Sequence, residues 1–158
     1  MTGQSLQTMN PDAPKIYVGT FGKYNAGSIA GAWFDLSQYD SQREFLVDAE
    51  KLHSDEHDPE LMFQDWEYLP ADMVGDSWVS PEVWDLMKNY PWAAVVAFSK
   101  IIAPFESDWF KHAYVGKWES LQAYADALGV FIGKLELDGF KWVDGFIFQD
   151  MRVDDLYQ

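Results

Sequence analysis

Carboxylates are the most numerous side chains of this sequence that could take part in chemistry or binding. The chain of 158 residues holds 26 Asp and Glu against 11 Lys and Arg, and its formal net charge is −15 at pH 7. Carboxylates can act as general acids and bases, ligate metal ions or attract basic surfaces. Because nucleic acid and anionic membranes repel a strongly acidic chain, we expect its partners to be basic surfaces or cations.

The negative charge is concentrated in the middle of the chain. Residues 40–85 hold fourteen acids against Arg43 and Lys51, for a net charge of −12, whereas residues 1–39 are neutral and residues 86–158 carry −3. A fully helical segment of this length would extend about 70 Å and carry roughly one net charge per 6 Å. Duplex DNA carries about one per 1.7 Å of axis. Imitation of DNA would therefore depend on the spatial pattern of the carboxylates.

Two histidines set four residues apart, His53 and His57, could share a metal ion if both lay on one helix. Asp55, Glu56 and Asp58 are close enough in sequence to supply oxygen ligands. The metalloprotease pattern HExxH is absent, and Asp58 is expected to begin a new helix, which would separate the two imidazoles. We therefore expect neither a metal site nor a cofactor.

Other catalytic arrangements have little support in the sequence. The absence of cysteine excludes disulfides, thiolate zinc sites and cysteine nucleophiles. Neither the nucleophile pattern GxSxG nor the phosphate-loop patterns GxGxxG and GxxxxGK[ST] occurs. A general acid–base pair needs a pocket that raises one carboxyl pKa and lowers the other, and no motif indicates one. We expect that the protein is not an enzyme.

Apolar residues make up 48% of the chain and aromatic residues 17%, which is enough for folded cores despite the charge. Exposed aromatic rings can stack on nucleobases, but proteins that bind this way also need a positive groove. We therefore expect the large aromatic side chains to fill small cores. The residues concerned are Trp66, Tyr68, Trp78, Trp84, Trp92, Trp109, Trp118 and Trp142.

The N-terminal part predicts a β-hairpin followed by a helix. Residues 15–21 (KIYVGTF) and 28–34 (SIAGAWF) are rich in β-forming residues, and residues 23–27 between them have turn chemistry. Ser37 is a candidate N-cap for a helix that runs to about Leu52. That helix would bury the apolar side chains of Phe45, Leu46, Ala49 and Leu52. Asp40, Glu44 and Asp48 recur every four residues and would line another face of it.

Proline patterns predict further helices in the middle of the chain. Asp58-Pro59-Glu60 and Ser80-Pro81-Glu82 each combine a cap, a proline at the first helical position and an acid in the first turn. The second of these helices, with Val83, Trp84 and Met87 inward, should stop near Tyr90 because Pro91 cannot continue it. Residues 92–102 (WAAVVAFSKII) predict a buried helix that Pro104 closes.

Beyond Pro104 the pattern becomes mixed. Ser107 and Asp108 could open a short helix or strand that runs to Tyr114. Residues 118–128 have helical spacing, and Gly129 is placed as a C-terminal cap. Two apolar runs, VFIGKLEL and FKWVDGFIF, flank Asp138-Gly139 and predict a β-hairpin at that point.

Together these elements predict an α+β protein, an elongated chain of three small domains. The expected divisions are a flexible tail at 1–14, an N-terminal α+β domain at 15–68, a central helical domain at 69–104 and a C-terminal α+β domain at 105–158. The first fourteen residues lack the features of a secretory signal, and no run is long and apolar enough to cross a bilayer. We expect a soluble, cytoplasmic protein.

Two segments resemble the ArdA antirestriction proteins, which are carried by mobile genetic elements. The resemblance lies in residues 16–36 (IYVGTFGKYNAGSIAGAWFDL) and 55–67 (DEHDPELMFQDWE), and it continues more weakly through the aromatic and acidic C-terminal third. It implies a homodimer formed through the C-terminal domain, whose carboxylates follow the phosphate track of bent DNA. It also implies competitive inhibition of type I restriction–modification enzymes.

The resulting hypothesis is that the acidic segment occupies the basic DNA-binding groove of such an enzyme. The alternative is an acidic module that sequesters another basic DNA-binding protein. The acids expected to contact the partner are Asp40, Glu44, Asp48, Asp55, Glu56, Asp58, Glu60, Asp65, Glu67, Asp72, Asp76, Glu82 and Asp85. No direct contact with nucleic acid or membrane is expected.

Overall fold

The computed structural model describes residues 9–150 of the chain. The contacts divide the chain into two compact units, the first ending at Ala93 and the second beginning at Ala94. The predicted α+β class is confirmed, while the division into three domains stays a prediction. Residues 1–8 of the predicted tail and residues 151–158 of the predicted C-terminal domain lie outside the described residues. Between residues 9 and 150, no helix is long and apolar enough to cross a membrane.

A three-stranded antiparallel sheet organises the first unit. Its strands are β1 (Lys15–Thr20), β2 (Ala32–Asp35) and β3 (Leu61–Glu67), in the order β2-β1-β3. The predicted pairing of the first two strands is confirmed, but their connection contains a short helix, α1 (Phe21–Asn25). The helix forms because the Thr20 hydroxyl accepts a hydrogen bond from the Lys23 N–H and caps it.

The segment that follows Asp58 is a strand, so the predicted helix there is wrong. From Leu61 to Glu67 the backbone pairs with β1, where Leu61 lies opposite Thr20 and Glu67 opposite Lys15. The pairing partner, β1, is about forty residues away in sequence, and local capping signals carry no information about it. The strand also places Phe63 in the core.

The acidic helix, α2 (Gln42–Leu52), begins later than predicted. The N-cap is Ser41, whose hydroxyl accepts from the Glu44 N–H at 3.2 Å. Ser37 instead lies in a short 3₁₀ turn that is capped by Asp35. The turn ends at Tyr39, whose backbone is extended, so one continuous helix from Ser37 cannot form.

Phe45 lies at the centre of the core of the first unit and is fully buried. Its ring centroid is 5.7 Å from that of Phe34 on β2 and 5.8 Å from that of Phe63 on β3. It also stacks on Trp84, with 6.0 Å between centroids. Ala49 is buried as predicted, while Leu46 and Leu52 are half-buried. The inner face of the sheet is therefore held to α2 by aromatic packing.

Two helices follow the sheet, α3 (Glu82–Asn89) and α4 (Trp92–Ser99). The first is confirmed with its predicted start and end, and Val83 and Trp84 are buried while Met87 is half-buried. The second ends three residues earlier than predicted. Beyond Ser99 the backbone tightens, because the N–H groups of residues 100 and 101 donate to carbonyls three residues back.

The second unit combines three helices with a small antiparallel sheet. The helices are α5 (Ser107–Ala113), α6 (Leu121–Leu128) and α7 (Ile132–Leu137), and the strands are β4 (Tyr114–Lys117), β5 (Phe140–Val143) and β6 (Phe146–Gln149). The strand order is β4-β6-β5. Gly129 caps α6 with φ of 71°, as predicted. Phe98, Phe110 and Phe148 form the aromatic core of this unit.

The C-terminal hairpin forms at a different Asp-Gly pair from the predicted one. Asp144 and Gly145 connect β5 to β6 with φ of 51° and 96°, the two positive values that a tight hairpin turn of this kind needs. Asp138 and Gly139 instead connect α7 to β5. The prediction there is wrong because residues 132–137 are helical, so no strand precedes Asp138.

Tryptophans are divided between core and surface. Trp84 and Trp92 are buried, and their indole N–H groups donate to the backbone carbonyls of Leu36 and Tyr68. Trp78 and Trp142 are 49% and 43% exposed. The expectation that the large aromatics fill cores therefore holds for some of them and not for all.

We expect the substitution Phe45→Ala to lower the free energy of unfolding by about 3–5 kcal/mol, because it leaves a cavity among four aromatic rings. Val47→Ala on the same helix is the control, since Val47 is 43% exposed and should change stability by no more than about 0.5 kcal/mol. Urea unfolding followed by circular dichroism measures both. Equal effects of the two substitutions would contradict the placement of this core.

Candidate functional site

The predicted contact acids are mostly on the surface of the first unit. Eleven of the thirteen are exposed, and the exceptions are Asp48, which is buried, and Glu56, which is half-buried. The exposed members are Asp40, Glu44, Asp55, Asp58, Glu60, Asp65, Glu67, Asp72, Asp76, Glu82 and Asp85. Most of the predicted set therefore lies on the surface, Asp48 does not, and contact of the exposed acids with a partner stays a prediction.

Asp48 does not point to solvent, so its prediction as a contact residue needs correction. Only 7% of Asp48 is exposed, and its Oδ2 accepts a hydrogen bond of 2.5 Å from the Tyr39 hydroxyl. The sequence holds a signal for this placement. Asp48 lies three residues after Phe45 and next to Ala49, on the helical face that packs inward. Burial, with the hydrogen bond to Asp48, raises the pKa of Tyr39 above its ordinary value.

Several exposed acids have no internal cation. Across residues 9–150, no Lys, Arg or His forms an ion pair with Asp40, Glu44, Asp58, Glu60, Asp65, Glu67 or Asp76. Glu50 on α2 is also exposed and without an ion pair, although it was not among the predicted contacts. We call Asp58, Glu60, Asp65 and Glu67 the β3 acids, because they lie on β3 or just before it. Their charge is available to an external partner.

Asp55 and Glu56 are different, because both form ion pairs with one internal lysine, which offsets half of their charge. The Lys23 ammonium lies 2.9 Å from Asp55 Oδ1 and 3.0 Å from Glu56 Oε2. Glu56 Oε2 also accepts a hydrogen bond of 2.7 Å from the Thr20 hydroxyl. The capped start of α1 therefore holds Lys23 in place, and Lys23 in turn ties the loop after α2 to the sheet.

His53 completes this network and is 2% exposed. Its Nε2 lies 3.0 Å from the Val18 carbonyl oxygen, which can only accept, so Nε2 carries the proton. Nδ1 is then the acceptor of the 2.8 Å hydrogen bond that Lys23 Nζ donates. The ligand atoms of His53, Asp55 and Glu56 lie within 4.8 Å of one another. Each of the three residues contacts the Lys23 ammonium, at distances of 2.8, 2.9 and 3.0 Å.

Of the two histidines considered above as shared metal ligands, His53 belongs to this cluster and His57 does not. His57 is exposed and does not join the cluster of His53, Asp55 and Glu56. His53 and His57 lie in the loop between α2 and β3, so the regular spacing of a helix does not bring them together. Within the cluster, His53, Asp55 and Glu56 are joined to one another through Lys23.

The network shifts the pKa values of three of its members. Partial burial lowers the pKa of Lys23, but hydrogen bonds to Asp55 and Glu56 outweigh it and raise the pKa above the ordinary 10.5. The hydrogen bond from Lys23 lowers the pKa of Asp55 below 3.8. Hydrogen bonds from Thr20 and then from Lys23 lower the pKa of Glu56 below 4.5. All three groups are therefore held in their charged forms.

The apolar residues among the β3 acids mostly face inward. Phe63 is buried, and Leu61, Met62 and Trp66 are half-buried. The backbone bulges at Gln64, because Val18 and Tyr17 on β1 pair with Phe63 and Asp65. The bulge changes which residues share a face, so Asp65 and Glu67 lie on the side opposite Phe63. Strict alternation along the sequence does not reveal this change.

The fold and its surface define an acidic α+β protein in which several exposed carboxylates form no ion pair within residues 9–150. The sequence model of the family described as antirestriction protein (ArdA) matches residues 16–138, most of the chain. The chain belongs to the ArdA family of antirestriction proteins. No curated protein and no solved structure matches it significantly.

We expect Lys23→Met to lower the free energy of unfolding at pH 7. The difference in unfolding free energy between the variant and the wild type should shrink as the pH falls toward 3. The pKa values of Asp55 and Glu56 are lowered in the folded state. The two charged carboxylates therefore stabilise the fold at pH values above their ordinary pKa values of 3.8 and 4.5, and this contribution is lost as the pH falls below them. Chemical unfolding at a series of pH values measures the difference.

Lys51→Met is the matched control, because Lys51 is exposed and forms no ion pair in the described part of the chain. Its effect should be small and nearly independent of pH over the same range. A Lys23→Met difference that stays constant from pH 7 to pH 3 would show that the ion pairs do not contribute to stability.

Proposed function

We propose that this protein is a DNA mimic that occupies the DNA-binding groove of a type I restriction–modification enzyme and inhibits it by competition. Membership of the antirestriction family supports the role, and the exposed acids without internal cations support the mechanism. Inhibition by occupancy needs neither turnover nor a cofactor. It takes place in the cytoplasm, where these enzymes meet incoming DNA.

The observation that carries the proposal is the exposure of the β3 acids. Each carboxylate is exposed, and none forms an ion pair within residues 9–150. A protein that needed its acids only for solubility could place cations beside them at little cost. Leaving a row of like charges unpaired raises the free energy of the isolated protein, and a basic groove relieves that repulsion on binding.

The spacing of these acids sets how closely DNA can be imitated. Residues two apart on a strand are separated by about 6.6 Å, so Asp65 and Glu67 are twice as far apart as the ~3.4 Å rise between phosphates of one DNA strand. One strand therefore supplies about one charge for every two phosphates. Acids on α2, before β3 and on α3 must extend the pattern, which distributes the binding free energy over many weak contacts.

Distributed binding has consequences for salt and for mutation. Exposed ion pairs are individually worth about 1 kcal/mol or less, so no single carboxylate should dominate affinity. Binding should weaken as salt rises, because basic grooves bind DNA through screened charges and through the release of counterions. The salt dependence is expected to be shallower than that of DNA, since the protein carries fewer charges per unit length.

We expect neutralising the four β3 acids (Asp58→Asn, Glu60→Gln, Asp65→Asn and Glu67→Gln) to weaken inhibition of a purified type I restriction enzyme at least tenfold. Four lost pairs at only ~0.35 kcal/mol each would reach that value. The measurement is the concentration of protein that halves cleavage of a plasmid at fixed salt.

The matched control removes the same charge from the second unit, with Glu106→Gln, Glu119→Gln, Asp126→Asn and Glu136→Gln. These four acids are exposed, and they lie where the net charge is low. Equal loss of inhibition in the two variants would mean that only total charge matters. Unchanged inhibition after removal of the β3 acids would exclude the proposed contact surface.

We also propose that the protein forms a homodimer through the second unit. Leu128 at the end of α6, Phe131 before α7 and Leu137 at the end of α7 are 51%, 88% and 81% exposed. Exposed apolar side chains grouped on neighbouring elements are typical of interfaces. Residues 86–158 carry a net charge of only −3, so two copies repel each other less here than through the acidic middle of the chain.

The double variant Phe131→Asp and Leu137→Asp should convert this dimer to a monomer in light scattering coupled to size-exclusion chromatography. Burying two new carboxylates at an interface costs several kcal/mol, whereas both positions are exposed in the monomer and should tolerate the change. Trp142→Gln, an exposed position on β5, is the control. A wild-type protein that is monomeric at all concentrations would refute the dimer and leave the proposed inhibition untouched.

A further inference from the structure

The face of the first sheet that points away from α2 carries aromatic rings beside unpaired carboxylates. The strand register places Trp33, Tyr17 and Asp65 in one row across β2, β1 and β3. The next row contains Asp35, Lys15 and Glu67. We call Tyr17, Trp33, Asp65 and Glu67 the outer sheet face.

Part of this face is accessible, whereas Lys15 and Asp35 of its second row are each 2% exposed. Ile16, Val18 and Phe34 point toward α2 and are fully buried. On the outer sheet face the two rings are half-buried, while both carboxylates are exposed. Two flat rings and two acids are therefore presented together to solvent.

The carboxylates of this face have no internal partner cation. Lys15 lies opposite Glu67 in the register, but it is 2% exposed and its ammonium donates to the Ala13 carbonyl at 2.8 Å. Among residues 9–150, Asp65 accepts a hydrogen bond only from the adjacent Trp66 N–H, at 2.8 Å through Oδ1. Its second oxygen, like the whole Glu67 carboxylate, remains able to accept bonds from another molecule.

The rings are held in place before any partner arrives. Tyr17 and Trp33 pack edge to face, with 5.6 Å between centroids and 69° between planes. The Tyr17 hydroxyl donates to the Ile29 carbonyl at 2.7 Å, which fixes the ring over the sheet. A binding surface whose side chains are already ordered loses little conformational entropy on association.

We propose that the outer sheet face binds arginine side chains of the basic partner, with the guanidinium over the Tyr17–Trp33 ring pair and hydrogen-bonded to Asp65 or Glu67. The inference rests on the proposed function, because the partner is the basic groove that the acids occupy. Guanidinium is planar and weakly hydrated, so it stacks on rings and forms a two-pronged bond to carboxylate. A lysine ammonium can make the charge contact but not the planar stack.

Charge favours a basic partner over a second copy of this chain as the occupant of the outer sheet face. A second copy of the chain would bring Asp65 and Glu67 toward the same residues of its partner, and like charges in apposition are unfavourable. The face thus adds selectivity for arginine to a surface whose remaining acids accept either basic side chain.

The first test uses peptides and needs no restriction enzyme. The full-length protein is titrated with hexa-arginine and with hexa-lysine at the same ionic strength, and the indole N–H resonance of Trp33 is followed by NMR. We expect the arginine peptide to bind about two- to fivefold more tightly, the ratio that a cation–π contact at an exposed site supplies, and to shift the Trp33 resonance. Trp33→Phe identifies that resonance.

The second test asks whether the same face acts in inhibition. Tyr17→Leu removes the ring and Tyr17→Phe keeps it, so only the first should lose the preference for arginine and weaken inhibition of the restriction enzyme by a similar two- to fivefold. Trp78→Leu, an exposed tryptophan outside the outer sheet face, should change neither. Circular dichroism and thermal unfolding verify that each variant is folded.

The outcomes separate this inference from the proposed function. Equal affinity for the two peptides with no shift of Trp33 would overturn the arginine site, even if wild-type protein inhibits the enzyme. A wild-type protein that fails to inhibit would overturn the proposed function, while a preference for arginine would still stand. Should Tyr17→Leu fail to fold, the double variant Asp65→Asn and Glu67→Gln in the peptide titration decides, because it removes both candidate carboxylates and leaves the rings intact.

Discussion

Mutual repulsion among carboxylates is the constraint on which the rest of this structure depends. Residues 40–85 carry a net charge of −12, and the chain must hold them on a folded surface without neutralising most of them. Small aromatic cores provide the opposing free energy, and Phe45 alone touches four rings of the first unit. Lys23 forms ion pairs with Asp55 and Glu56 at one loop, whereas the β3 acids form none within residues 9–150. We therefore propose that stability and binding use different carboxylates of one segment.

Local signals predicted the parts of the fold whose causes are local. The cap and proline at Ser80-Pro81 placed α3, and Gly129 closed α6, because these residues satisfy backbone groups within one turn. The acidic surface was also predictable, since Asp and Glu rarely enter cores without partners. The family motifs added the antirestriction role, which composition and periodicity do not contain.

What the sequence did not predict depends on distant partners. The chain after Asp58 is a strand because β1 pairs with it. The Lys23–His53 contact joins residues thirty apart. The outer sheet face exists only once the register sets Tyr17 between Trp33 and Asp65, and the bulge at Gln64 fixes that register. Each of these features is a pairing, and no single-residue preference specifies it.

The central claim is that the protein and DNA occupy the same groove, and an equilibrium competition measures this directly. Labelled duplex DNA bound to a purified type I restriction enzyme is titrated with the protein at several fixed DNA concentrations, with fluorescence anisotropy as the readout. We predict complete displacement, with a midpoint that rises in proportion to the DNA concentration and moves to higher protein concentration with added salt. A ternary complex that retains DNA at saturating protein would contradict mimicry.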